Sequence, residues 1–229
     1  MSYWLGSAAY HLSGLRGPVA NMGLLNTPDS GGLPIRYWNT LRPRFCPLCL
    51  AASQHWRVSW ELLFVVACPE HGCRLLDTCH ECGKPLSWYR QNLAECACEY
   101  ELARSPVVSA SPAALWVADM LLARLAGSQD RIQDDLARLS LEQISRLLWF
   151  VGAYGAHARP KPQKMGGLQS LTTATTVVEA AADALQDWPD GFHQLLDRIS
   201  GRLSAGSLGN KLGRRFGGLE VAQQNRTGR

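Results

Sequence analysis

The chain has 229 residues, 46% hydrophobic and 18% charged, enough apolar material to bury a core rather than stay disordered. Its 23 Lys and Arg against 19 Asp and Glu leave a formal charge of +4, which excludes a histone-like polycation. No run of 18 apolar residues and no secretory signal is visible, so a cytoplasmic protein without a membrane partner is expected.

Residues 1–39 hold many Gly, Ser, Asn and Pro and read as a short irregular segment, with a helical turn around Trp38–Leu41. The eight cysteines follow, all between Cys46 and Cys98. They arrive as Cys46-Pro-Leu-Cys49, Cys68-Pro-Glu-His71, Cys79-His-Glu-Cys82 and Cys96-Ala-Cys98. Two intervening residues fold the chain into a knuckle whose paired side chains face one point, the geometry of structural zinc. Without an export signal, thiols grouped this tightly read as metal ligands rather than disulfides.

The simplest partition is sequential, and gives two Zn2+ per chain. One ion takes Cys46, Cys49, Cys68 and His71; the other takes Cys79, Cys82, Cys96 and Cys98. A redox dithiol explains one pair and leaves the others idle. Iron suits the all-cysteine set by geometry, but the histidine in the first set favours zinc. Cys73 is left over and reads as a small buried residue on a short strand; His55 and His80 are not expected to be ligands. Seven thiolates and two Zn2+ bring the formal charge from +4 to about +1, so any attraction for nucleic acid depends on where charges sit.

Between the halves of the first set, residues 56–66 alternate. Trp56, Val58, Trp60, Leu62, Phe64 and Val66 fall on one face, with Arg57, Ser59 and Glu61 opposite, which predicts a strand or bent hairpin. Packing is the stronger reading of Trp56 and Trp60, over base stacking, because a small metal module needs such bulk for its core.

After a linker at Ser105–Ser111, Ser111-Pro112 opens a helix with Leu115, Ala118, Leu122 and Leu125 on one face and Gly127 at its end. A short helical turn is expected around Ile132–Leu139. Ser140-Leu-Glu-Gln143 is a capping-box pattern starting a second long helix, with Leu141, Ile144, Leu147, Leu148 and Val151 inward and a stop near Gly155. Beyond a Pro/Gly/Lys loop at 159–167, a third helix spans about 173–188. Pro189 breaks it, and Phe192, Leu195, Leu196, Ile199 and Leu203 mark a fourth. The fold class expected is therefore α+β: a tandem zinc-ribbon-like module at 40–104, then an all-α helical domain at 111–203. Residues 204–229 form a Gly-rich basic tail carrying Arg214 and Arg215.

Phe45-Cys-Pro-Leu-Cys-Leu50, Trp56-Arg-Val-Ser-Trp60, Val66-Ala-Cys-Pro-Glu-His-Gly72, Leu75-Leu-Asp-Thr-Cys-His-Glu-Cys-Gly83 and Cys96-Ala-Cys98 resemble the TniQ/TnsD family of transposition proteins. The stretches around Asp187–Phe192 and Gly213–Gly217 are similar too, so the resemblance runs over about 40–217. It implies a non-enzymatic accessory protein of DNA transposition, an adaptor in target-site selection. Such an adaptor bridges target DNA or an RNA-guided effector complex to an AAA+ ATPase and its transposase. The family's zinc-ligand roles carry over onto the eight positions named above. Here just 45 residues precede the first cysteine, and Glu99 stands after Cys98 where family members commonly have Gly, so the resemblance implies a compact or truncated member.

The alternative is a stand-alone zinc-containing regulator that binds nucleic acid, with Arg42, Arg44, Arg57, Arg214 and Arg215 as phosphate contacts. A homodimer is compatible with either reading. Catalysis is not expected, because both ligand sets are closed by four protein donors.

Overall fold

A computed structural model describes residues 33–126, 136, 138–155 and 165–203. Most of the expected turn at Ile132–Leu139, the helix stop at Gly127 and the tail with Arg214 and Arg215 lie outside the described residues. The described part is α+β, a cysteine-rich region with one small sheet followed by a stack of helices.

Helix α1 (Pro47–Ala52) springs from the first knuckle. Pro47 occupies its first turn, where the missing N–H would have had no helical partner anyway. Strands β1 (Ala67–Cys68) and β2 (Cys73–Arg74) pair antiparallel, with Ala67 opposite Arg74 and Cys68 opposite Cys73. The helical turn comes earlier than the sequence suggests. It is a 3₁₀ turn at Ile35–Tyr37, and Trp38 beyond it is extended and bridges to Leu62.

The alternation at 56–66 does not make a strand. Val58–Glu61 form a 3₁₀ turn, and every residue from Ser59 to Cys68 is buried. The reason is visible in the sequence after Glu61. Leu62, Leu63, Phe64, Val65 and Val66 are apolar at both parities, so this segment crosses the core and has no solvent face to alternate against. A buried irregular backbone must still satisfy its carbonyls. Arg44 does so: its guanidinium donates to Leu63 O at 2.8 Å, Val65 O at 3.2 Å and Leu62 O at 3.4 Å. Trp56 and Trp60 are core residues, 5.3 Å apart in an edge contact, and Trp88 meets Trp56 from the side of the second cluster.

Helix α2 (Pro112–Leu125) has the expected cap, Ser111 Oγ accepting from Ala114 N at 3.2 Å. Ala118 is inward as expected, but the rest of the buried face differs from the expected one. Ala114, Val117, Ala118, Met120 and Leu121 are inward, while Leu115, Leu122 and Leu125 are half-buried. Small side chains at 114 and 118 let α2 lie close to both β1 and the third long helix, so bulk alone does not mark the inward face.

Helix α3 (Leu141–Gly155) begins with the capping box closed in both directions: Gln143 N donates to Ser140 Oγ at 3.2 Å and Ser140 N to Gln143 Oε1 at 2.8 Å. Helices α4 (Leu171–Leu185) and α5 (Asp190–Leu203) follow, with Pro189 between them. Helices α3 and α4 pack closely against each other. A Cβ on Gly152 would strike the backbone of Val177, so glycine is what permits this crossing.

One contiguous apolar cluster runs from Leu33 through the cysteine-rich region to Ile199. The short turn before α4 is where the two regions are tied. Arg44 reaches Leu168 O at 2.8 Å, Asp77 Oδ2 accepts from Leu171 N at 3.1 Å, and Gln169 bonds Thr40 N, Leu41 N and Trp38 O.

Candidate metal centres

The first cluster is assembled by α1 and the β1–β2 turn. Cys46 and Cys49 sit one helical turn apart at the start of α1, and Cys68 ends β1. His71 is presented by the turn at 69–72, which Gly72 closes with a φ of +61°. His71 Nδ1 lies 3.2 Å from Cys49 Sγ, 3.5 Å from Cys68 Sγ and 3.6 Å from Cys46 Sγ, and Cys49 and Cys68 are 3.6 Å apart. The three cysteines are buried and His71 is half-buried at the rim.

The second cluster is built from two backbone knuckles. Gly83 N donates to Cys79 O at 3.0 Å and Cys79 N to Lys84 O at 2.9 Å, folding the first. Glu99 N donates to Cys96 O and Cys96 N to Tyr100 O, at 2.9 and 2.8 Å, folding the second. The sulfur pairs Cys79–Cys98 and Cys82–Cys96 are each 3.7 Å apart. Cys79 and Cys96 are buried, Cys82 is half-buried and Cys98 is exposed.

These eight side chains form two four-ligand groups whose donor atoms all lie within 4.8 Å of one another. All eight cysteines are free thiols. A tetrahedral ion with Zn–S bonds of roughly 2.3 Å would hold sulfurs roughly 3.8 Å apart. The observed 3.6–3.7 Å between sulfurs fits that shell.

Bare thiols at such distances cannot all ionise. Hydrogen bonds from Cys49 and Cys68 hold the Cys46 thiol far below its ordinary range, and the same pairing pushes Cys49 far above it. A dication would replace the shared protons, which suits both clusters to metal. In the second cluster the Lys84 backbone N–H is the first cause bringing Cys82 down to about 7, and burial pushes Cys79 up to about 12.

The knuckles explain a departure seen in the sequence. The residues after His71 and Cys82 are Gly72 and Gly83, both left-handed. Glu99, after Cys98, adopts the same conformation with a φ of +66°, although its side chain makes that costly. After Cys49 the chain continues into α1 and needs no such residue.

Leftover cysteine and histidines fall as follows. Cys73 is buried on β2, as its sequence context suggests, but its Sγ also lies 3.5 Å from Cys46 Sγ. His80 is exposed inside its knuckle and packs near Tyr100. His55 is exposed, on the far side of α1 from the ligands in sequence.

Among the arginines offered as phosphate contacts, Arg44 is corrected. It is wholly buried, and four carbonyls take its guanidinium, so it has no face toward a phosphate. Burial lowers its pKa to about 10, still well above neutrality. Arg57 is half-buried and paired with Glu70, whose other oxygen lies 4.0 Å from Cys49 Sγ. Arg42 is exposed.

Sequence reasoning misses Glu61. The carboxyl is buried, neither oxygen has a hydrogen-bond partner among the described residues, and burial raises its pKa to about 8. A lone acid in front of five apolar residues is the signal that marks it.

Among the described residues no helix is long and apolar enough to cross a membrane. Residues 25–75 match the TniQ family, a segment containing every ligand of the first cluster and ending just past β2. The match covers this segment alone; the second cluster and the helices lie outside it. Comparison with curated proteins gave no match.

Proposed function

With a TniQ domain as the premise, we propose that this chain is a non-enzymatic accessory protein of DNA transposition, an adaptor in target-site selection. In this reading two Zn2+ ions, one per cluster, make a rigid platform from about 40–104, and the helices at 111–203 extend it. The platform bridges a target-marking complex, RNA-guided or bound directly to target DNA, to an AAA+ ATPase and its transposase. The coincidence of the TniQ match with the whole first ligand set carries this reading.

Two further features support it. Each cluster offers four protein donors, a closed shell that leaves no coordination position for a substrate. The loss of Arg44 from the surface weakens the alternative, a regulator reading DNA through its own arginines.

The test combines metal analysis with capture. The purified chain should hold two zinc atoms, and an ATPase encoded beside it should be retained on the immobilised protein in a zinc-dependent way. Failure to retain that ATPase, with and without target DNA, would remove the adaptor role. Tight DNA binding that weakens steeply with salt, without ATPase capture, would favour the regulator instead.

A further inference from the structure

A fifth donor, the Cys73 sulfur, stands beside the four ligands of the first cluster without belonging to their mutually close set. Cys68 and Cys73 face each other directly across the β1–β2 ladder. Directly opposed residues of an antiparallel pair project to the same side of the sheet, with Cβ atoms roughly 5 Å apart. The register therefore puts the Cys73 side chain on the face from which Cys68 meets the cluster. The sulfur distance agrees: Cys73 Sγ is 3.5 Å from Cys46 Sγ, as close as the ligand pair Cys49–Cys68 at 3.6 Å. That separation is far beyond a disulfide, and both residues are free thiols.

The two groups competing for the fourth position differ in their surroundings. His71 stands half-buried on a turn of four residues, whereas Cys73 is 1% exposed and fixed by pairing on both edges, to Cys68 and to Ser109. The outer ligand is the one better placed to leave, and the inner sulfur already stands beside Cys46.

We propose that Cys73 is a stand-by ligand of the first metal centre, replacing His71 to convert a three-cysteine, one-histidine shell into one of four cysteines. The exchange balances without a redox partner. The Cys73 thiol gives up its proton as its sulfur binds the ion, and the released imidazole or solvent takes that proton. This inference rests on the reading that the first cluster holds zinc.

The experiment uses the full chain and its His71→Ala, Cys73→Ser and double variants, loaded with zinc and then with cobalt. Elemental analysis should give two metals for native, Cys73→Ser and His71→Ala, and one for the double variant. In cobalt-loaded His71→Ala the sulfur-to-metal charge-transfer band should intensify, by about one part in seven, as seven thiolates become eight. Loss of one metal from His71→Ala alone, equal to the double variant, would overturn the proposal. Should His71→Ala fail to fold, chelator release from Cys73→Ser decides. One of its two ions should leave several-fold faster than from the native chain, and unchanged kinetics would overturn the proposal. A native chain holding fewer than two metals would sink the zinc reading itself, a separate result.

Discussion

In the first metal cluster Cys46, Cys49 and Cys68 are buried beside Phe45, Leu50 and Ala67, inside the apolar cluster that continues to α5. In the second, Cys82 is half-buried, Cys98 is exposed, and the knuckles are held by their own backbone hydrogen bonds. Similar donors thus serve two kinds of construction. The first ion would organise the core around it, whereas the second would staple a loop excursion anchored in that core by Leu86 and Leu102, with Trp88 partly buried against Trp56. The chemistry of a ligand set does not tell how far its loss will spread; its position in the packing does.

Removing one sulfur from each cluster tests that difference most severely. Structural zinc contributes on the order of 10 kcal/mol to folding, so Cys49→Ser is expected to abolish the cooperative thermal transition of the whole chain. Cys82→Ser should release one zinc equivalent and unfold the second cluster, while α2 to α5 keep their amide protection in hydrogen exchange. Equal global unfolding by both variants would erase the contrast. Retention of two tightly held metals by Cys82→Ser would show the ligand assignment to be wrong.

A smaller effect belongs to Glu61, in the turn between the halves of the first cluster. Burial raises its folded pKa from 4.5 to about 8, so the folded chain holds this proton more tightly than the unfolded one. Its contribution to stability is full below about 4.5, falls as pH rises toward 8, and is level above that. The fall is at most roughly 1.4 kcal/mol per pH unit. Denaturant titrations of native and Glu61→Gln proteins at pH 6, 7 and 8 should show the gap moving steadily in favour of the glutamine variant. A gap independent of pH would mean that the carboxyl does not titrate in this range.

The smallest effect is at the second cluster. A left-handed residue with a side chain costs about 1–2 kcal/mol, and glycine gives part of this back through greater freedom in the unfolded chain. Glu99→Gly should therefore stabilise the metal-loaded protein by about 0.5–1 kcal/mol, read as a rise in melting temperature. A loss of stability would indicate that the Glu99 side chain has a role beyond its backbone.

Local patterns were legible in the sequence because their partners are close in the chain. The knuckle spacings bring together the eight side chains they suggest, and Ser111 and the Ser140–Gln143 box cap their helices as the residue types demand. What escaped depends on distant packing. The 56–66 alternation looked like a strand because its even positions are large and apolar, but the odd positions beyond Glu61 are apolar as well, and burial on all sides removed the need for pleating. Arg44 looked like a surface charge because no local pattern reveals that its acceptors lie 18 to 124 residues away. The inward face of α2 mixes alanines with Val117, Met120 and Leu121, and a search for a leucine stripe picks the neighbouring face instead.

Arg44 stands two residues before Cys46 and Asp77 two before Cys79, and both grip the turn that launches α4. Each knuckle therefore has a handle on the same turn. The helices take their footing from the metal-bearing loops, so the angle at which they are offered to the outside is written at the two cysteine pairs. Displacing either cysteine pair would therefore be felt at the start of α4, far along the chain from the cysteines themselves.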